Sequence, residues 1–370
     1  MHKKFTSLGL MSGTSGDGVD ASIINSNGTN EFDVIKNKYF EYDSKIYKEI
    51  HSLKDKIFNI DDLKKLDKEL KNLERDITLF HGKIIKELDL MNKNILVGFH
   101  GQTIYHNSKE KVSKQLGNAK LLYQLTKKKV VYNFRANDIL NGGEGAPLTP
   151  LFHQLIISKK KIKLPICVLN IGGISNITII NKPIGSQEIF SKDIGPGNCL
   201  IDSWVRNNSE KKFDKDGLLA SSGKLNEIIY EQAQELYFNR INKKKNSYDI
   251  NDFDVSFARG LSLEDGAATL TDFTGSIIAD ALSTISDKEN YFDKVLVCGG
   301  GRKNKILLGS ILKNISSKIK VGLIDEYEID GDFVESQAFA YLAIRSFLKL
   351  PISFPTTTGC SKDLIGGTII

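Results

Sequence analysis

An α/β protein built from two related halves is the fold class this sequence predicts, and three observations predict it. Apolar strand-like runs alternate with amphipathic helical runs along the chain. Two hairpins of the same make occur far apart, at residues 8–24 and 166–180; each is an apolar run, a turn rich in small polar residues, and a second apolar run. A length of 370 residues is enough for two domains, each with its own core.

The first hairpin, "LGLMSGTSGDGVDASII", puts Gly13, Thr14, Ser15, Gly16, Asp17 and Gly18 where a two-residue turn would suffice. Backbone exposed by glycines, beside two hydroxyls and a carboxylate, suits a polyanion such as a nucleotide phosphate. A plain long hairpin loop is the other reading. Next, "DDLKKLDKELKNLERDITLFHGKIIKEL" spaces Leu63, Leu66, Leu70, Leu73, Ile77, Phe80 and Ile84 by three and four. That stripe predicts a helix packed on a globular core, ahead of a coiled coil. "ILVGF" at 95–99 reads as a buried strand delivering "HGQT" at its C-terminal end, and "KVVYNF" at 129–134 as another strand. The second hairpin, "ICVLNIGGISNITII", follows. Further on, the glycine cluster "CGGGRKN" at 298–304 lies between the strand "KVLV" and a helical run.

Composition narrows the class. The chain is 40% hydrophobic and 26% charged, and no apolar run approaches the roughly 20 residues of a membrane span. The start "MHKKFTSLGLMSG" has too brief an apolar stretch for a signal peptide. Cys167, Cys199, Cys298 and Cys360 have no CxxC or metal-ligand spacing, and Cys167 and Cys298 fall in strand-like runs. Buried free thiols and a reducing cytoplasm are the expectation. The net charge of +6 comes from dispersed lysines, and the runs at 127–129, 159–161 and 243–245 have no aromatic interleaving. Solvated surface, not a nucleic-acid interface, is expected there. "GLLASSGKL" misses the P-loop spacing, and no GxGxxG opens a helix after a strand.

Three polar clusters are candidates for chemistry. His100, Gln102 and Thr103 of "HGQT" offer hydrogen bonds at a strand end, for a ligand or for the loop itself. In "NFRANDILNGGEGAPLTPLFH", Arg135 and Asp138 either bind a polar ligand beside Gly142, Gly143 and Gly145 or pair with each other to pin the loop. In "KDIGPGNCLID", Asp193 precedes a Gly-Pro-Gly turn and Asn198 opens a helix. A carboxylate so placed serves as a base or as a structural helix-end charge. Glu335 lies in the first turn of the helical "VESQAFAYLAIRSFL", where a capping charge is the plainer reading.

Taken together, "GLMSGTSGDGVD", "HGQT", "FRANDILNGGEGAPL", "NIGGISNIT", "DIGPGNCLID", "CGGGRKN", "VESQAFA" and the terminal "TGCSKDLIGGTII" occur in the order seen in the anhydro-N-acetylmuramic acid kinases. The resemblance spans essentially the whole chain. It implies a two-lobed actin/hexokinase-like (ribonuclease H-like) ATPase fold with a central cleft. The lobes expected are residues 1–133 plus 353–370, and residues 134–352, with crossings near 131–135 and 350–354. It implies a cytoplasmic enzyme of cell-wall recycling, a homodimer, that uses ATP and Mg2+. The enzyme opens 1,6-anhydro-N-acetylmuramic acid with water at C1 and phosphorylates O6.

The same resemblance implies the roles of single residues. Gly13, Thr14, Ser15, Gly16, Asp17, Gly18, Val19 and Asp20 would form the ATP-phosphate loop, and Gly172, Gly173 and Asn176 its partner. Gly299, Gly300, Gly301 and Asn304 would lie toward the adenosine. Asp193 would be the base, and His100, Gln102, Thr103, Arg135, Asp138 and Glu335 would contact the sugar. Mg2+ would be held mainly through ATP, with Asp17 acting through water. Two departures stand out: Glu144 replaces an expected Gln, and Ile194 an expected Thr. A plain sugar kinase and a nucleotide-gated binding protein need the same phosphate loops, so the residues alone leave both open.

Overall fold

The structure is a computed structural model that describes residues 3–91, 93–184, 188–240 and 247–370. The basic run at 243–245 lies outside the described residues. The chain divides into two compact units. The first comprises Met1–Ile162, Lys182–Phe190 and Asp332–Ile370, the second Lys163–Asn181 and Ser191–Gly331.

In the first unit β1 (Phe5–Ser12), β2 (Gly18–Ser26) and β3 (Phe32–Glu41) form an antiparallel meander. Helices α1 (Ser44–Lys54), α2 (Ile60–Lys65) and α3 (Asp67–Glu87) lead to β4 (Leu96–Asn107) and β5 (Val112–Leu116). Then come α4 (Ala119–Thr126), β6 (Lys129–Tyr132), α5 (Ala136–Leu140) and α6 (Pro150–Lys159). β4 runs parallel to β1 and to β6, so the meander continues into a mixed seven-stranded sheet. The pleat sorts side chains to opposite faces. Leu8 and Leu10 join a core with Ile50 of α1, Leu73 and Ile77 of α3, and Leu122 of α4.

In the second unit β7 (Ile166–Ile171) and β8 (Ile174–Ile180) form the second hairpin, and β9 (Ile189–Pro196) leads to α7 (Cys199–Asn208). After α8 (Leu218–Ser222) and α9 (Glu227–Arg240) comes α10 (Leu263–Lys288), of 26 residues. β10 (Lys294–Cys298), α11 (Lys305–Asn314) and β11 (Lys320–Leu323) complete a five-stranded sheet ordered β11-β10-β7-β8-β9. Trp204 of α7 donates to Leu263 O at 2.9 Å and packs where Gly266 of α10 has no side chain.

The chain then returns to the first unit through α12 (Val334–Phe347), α13 (Pro355–Thr358) and β12 (Thr368–Ile369). α12 lies on the sheet face opposite the Leu8 core. Its backbone comes so close that a Cβ on Gly9 would sit 1.9 Å from Ser336 O, and one on Gly98 2.4 Å from Phe339 O. Two glycines in the middle of strands are therefore the docking groove for a helix.

Several expectations change. Residues 134–162, 182–190 and 332–352 group with the first unit, not the second; the last stretch does so because α12 covers the first sheet's second face. The crossings expected near 131–135 and 350–354 accordingly fall inside that unit, where β12 pairs with β6 and Ser353 bridges Leu364. The long helix predicted from residue 61 breaks at Leu66, which caps α2 and precedes α3. The strand expected to end at Phe134 stops at Tyr132, and Asn133 takes a left-handed φ of 57°. Lys128, expected as solvated surface, is buried and donates to Met91 O and Lys93 O at 2.7 and 2.5 Å. Among the described residues no helix is long and apolar enough to cross a membrane, and the four cysteines are free thiols.

Candidate functional site

The first unit gathers most of the polar candidates on the loop at 13–17 and on β4. The sequence placed "HGQT" after a strand; instead β4 runs through it. The pairing of β1 with β4 skips from Phe99 to Gly101, so His100 is the extra residue of a bulge and Gly101 takes a φ of 78°. A bulge re-aims a side chain that regular pleating would bury in the sheet face. His100 Nδ1 donates to Gly101 O at 2.8 Å, and Nε2 receives Arg135 Nη2 at 3.0 Å and Nε at 3.2 Å. Burial, then the Arg135 charge, holds the His100 imidazole well below its ordinary pKa. It is neutral, with one nitrogen donating and the other accepting, and it orients the guanidinium.

Arg135 Nη1 donates to Gly145 O at 2.7 Å, and Gly145 N donates to Asp138 Oδ2 at 2.7 Å. Asp138 Oδ1 receives the Thr358 hydroxyl at 2.6 Å, and Thr358 O receives Glu144 N at 2.8 Å. Arg135 and Asp138 thus pin one loop by sharing Gly145, not by facing each other. Asp138 is 1% exposed with both oxygens used by its own chain, so it supports the loop and is not placed to touch a sugar.

Gln102 is likewise a support. It is fully buried, with Nε2 donating to Gly13 O at 2.9 Å and Oε1 receiving the Ser12 hydroxyl at 2.5 Å. Thr103 is half-buried and accepts from Gln115 Nε2 at 3.2 Å. Glu335 is half-buried in the first turn of α12. One turn along, on the same helix face, Phe339 packs its ring 4.5 Å from that of His100.

The loop itself is held from inside. Gly16 N donates to Gly13 O at 3.2 Å, closing a turn in which Gly16 takes a φ of 62°. Lys54 Nζ donates to Thr14 O at 2.6 Å, and Tyr42 N to Asp17 O at 2.9 Å. The half-buried Asp17 carboxylate receives the Ser15 hydroxyl at 2.5 Å. Val19 is in the core and Asp20 pairs with Met11 and Tyr39, so both belong to β2. The two flanking glycines differ. A Cβ at Gly13 would meet nothing closer than 3.8 Å, whereas one at Gly18 would lie 2.4 Å from Phe40 O and 2.6 Å from the Tyr39 ring. Lys54 ends α1 and Tyr42 directly follows β3, both distant in sequence from the loop, so neither carried a local sequence signal for it.

In the second unit three glycine segments converge on the turn of β7 and β8. Gly173 O receives Gly197 N at 2.9 Å and Cys199 N at 3.1 Å, and Gly172 O receives Asn198 N at 2.8 Å. The Ser175 hydroxyl donates to Pro196 O at 3.0 Å. A Cβ on Gly197 would lie 2.3 Å from Gly172 O; one on Gly299 would lie 2.3 Å from Asn170 Oδ1, and one on Gly301 2.2 Å from Ile171. Gly300 has open space around it. Asn304 Oδ1 caps α11 through Ile306 N and Leu307 N at 3.1 and 3.0 Å, so that atom is committed to the fold. Asn176 Oδ1 is buried with no hydrogen-bond partner among the described residues.

Asp193 sits within β9, because Ile194 and Pro196 continue the strand that the sequence read as a turn. It is 7% exposed, and its Oδ2 receives Tyr248 N at 2.8 Å. The cap position of α7 is Asn198, so Asp193 is not that helix's cap. Burial pushes the thiol of Cys199, next along, up to about 12, so it stays protonated. Among the described residues no group of three or more His, Cys, Asp or Glu is arranged to hold a metal ion.

The family model described as "Anhydro-N-acetylmuramic acid kinase" matches residues 5–370. A protein of that name from Pelagibacter ubique (strain HTCC1062) is 54% identical over 374 residues, spanning 100% of this chain and 99% of its own length. Another of that name, from Zymomonas mobilis subsp. mobilis, is 35% identical over 377 residues and spans 98% of each chain. Among solved structures, the activator of the 2-hydroxyisocaproyl-CoA dehydratase from Clostridium difficile with bound ADPNP superposes with a TM-score of 0.42. It is 11% identical, over 93% of this chain and 96% of that one.

Proposed function

The chain belongs to the anhydro-N-acetylmuramic acid kinase family, and from that premise we propose that it opens 1,6-anhydro-N-acetylmuramic acid and phosphorylates O6 with ATP. The product is N-acetylmuramic acid 6-phosphate, and the setting is cell-wall recycling. The full-length family match carries this reading, and the two glycine-rich sites and the buried carboxylate fit it.

Water attacks C1 and gives its proton to Asp193, the C1–O6 bond breaks, and O6 takes the γ-phosphoryl group of ATP, releasing ADP. The charge forming on O6 passes to the phosphoryl group, so no separate general acid is required. Asp193 suits the base because it is a buried carboxylate within β9, oriented by Tyr248 N–H at 2.8 Å. Arg135, oriented by the neutral His100, is the cation for the sugar's carboxylate, with Thr103 and Glu335 as further sugar contacts.

Each unit on its own offers a glycine-rich segment suited to phosphate, the loop at 13–17 in the first and the turn at Gly172 and Gly173 in the second, where Asn176 Oδ1 has no hydrogen-bond partner among the described residues. Gly299, Gly300 and Gly301 are assigned to the nucleoside by the family resemblance. Mg2+ supplies charge neutralisation on the phosphates; with no metal-ligating cluster among the described residues, it would be held through ATP and, by way of water, by Asp17. Four free thiols suit a reducing cytoplasm.

The test is incubation with ATP and the anhydro sugar in ¹⁸O-water. The product should gain one water, labelled at C1, together with one phosphate. In a parallel incubation with N-acetylmuramic acid in place of the anhydro sugar, phosphorylation there and none of the anhydro sugar supports a plain sugar kinase instead. ATP hydrolysis with no sugar product supports a binding protein.

A further inference from the structure

A loop that receives phosphate through its backbone must aim N–H groups outward, and this chain contains the parts to do so. A peptide group is planar and trans, so each C=O points opposite to the N–H of the following residue. Gly13 O is held from within by Gln102 Nε2 on β4, and Thr14 O by Lys54 Nζ at the end of α1. The N–H groups of Thr14 and Ser15 therefore face away from Gln102 and Lys54. Among the described residues neither N–H has an intramolecular acceptor, nor has that of Asp17.

Lys54 is an unusual choice of clamp. It is 8% exposed, and burying an ammonium is costly unless its hydrogens are bonded. A neutral donor would hold Thr14 O as well. An ammonium also sets a positive charge behind the outward amides, where low dielectric extends its reach.

We propose that Lys54 and Gln102 are positioning residues of a nucleoside-polyphosphate site. By clamping Thr14 O and Gly13 O they turn the Ser15 and Thr14 amides toward the phosphates, and Lys54 adds its charge. This rests on the nucleotide reading of the loop given above, and it moves Gln102 from the sugar to the nucleotide.

Calorimetric titration with ADP and excess Mg2+, beside KM for ATP and for the sugar and a melting curve, tests it on the full chain. Wild-type protein should bind ADP. Lys54→Met should weaken that binding by roughly 10–100-fold, the worth of a charge-assisted hydrogen bond, and raise the KM for ATP in step. The KM for the sugar should stay within about twofold, and Lys54→Arg should recover most of the loss. Gln102→Glu, which puts a carboxylate oxygen against Gly13 O, should weaken ADP at least about tenfold and leave the sugar KM in place.

A folded Lys54→Met with unchanged ADP affinity overturns the proposal. So does an equal loss for ATP and sugar, the mark of a merely structural lysine. Should Lys54→Met not fold, Gln102→Glu decides alone by the same readings. A folded wild-type protein that does not bind ADP overturns the nucleotide reading itself, and this inference with it.

Discussion

Replacing Asp193 by Asn separates a base from a structural carboxylate. The substitution keeps the side-chain shape, and an amide oxygen can still accept Tyr248 N–H, now at 2.8 Å from the carboxylate. A hydrogen bond to a charged acceptor contributes roughly 1.5–3 kcal/mol and a neutral one roughly 0.5–1.5, so the loss at that bond is about 1 kcal/mol. Relief of a buried charge offsets part of it, and the melting temperature should move by no more than about 3 °C. Turnover should respond on another scale. Removing a general base costs roughly 10²–10⁴-fold, or about 2.7–5.5 kcal/mol of barrier. Single-turnover kinetics and ADP titration on one Asp193→Asn preparation measure both quantities. Near-wild-type turnover would remove Asp193 from the mechanism. A collapse of ADP affinity or of folding on the same scale as turnover would show a structural carboxylate.

Three further outcomes follow from the geometry. Burial lowers His81 to about 4 and His153 to about 3, and lowers His100 in the same direction. Since the unfolded chain then binds more protons, stability is complete above about pH 6.5 and falls as pH drops toward 4. At pH 5.5 His81 and His153 together cost about 3 kcal/mol, which urea midpoints at pH 7.5 and 5.5 should register; equal midpoints contradict it. Gly13→Val should fold normally and lose ADP affinity, whereas Gly18→Val should lose stability outright, because a Cβ there meets Phe40 O at 2.4 Å. The reverse pattern in melting and titration would contradict the loop's assignment. Gly9→Ala drives a Cβ to 1.9 Å from Ser336 O, and overpacking of that kind should cost about 3 kcal/mol in a denaturation curve. A wild-type midpoint would mean that α12 can lift off the sheet freely.

The α/β class, both hairpins and the third glycine cluster were legible because they rest on local rules. Strand runs alternate or stay apolar, and glycine clusters break them. Family membership was legible for a related reason: motifs in fixed order survive where single loops do not discriminate. Boundaries set by long-range contact were not legible. Nothing local distinguishes an α12 that closes the first unit's sheet from one that serves the second, and the close approach at Gly9 and Gly98 only exists once both are in place.

Local rules determined which side chains were candidates; tertiary structure decided which of them are spent on the fold. Gln102 and Asp138 read as ligand contacts because their types suit a sugar. Each is buried, and a buried polar atom must find a partner, so the loop carbonyl of Gly13 and the amide of Gly145 take them up. Lys54 carried no signal at all, since its bond to Thr14 O spans 40 residues of chain. Residue type and order fixed the chemistry available to this protein. Which atoms remain open to a ligand depended on what burial had already claimed, and burial is a property of the folded chain as a whole.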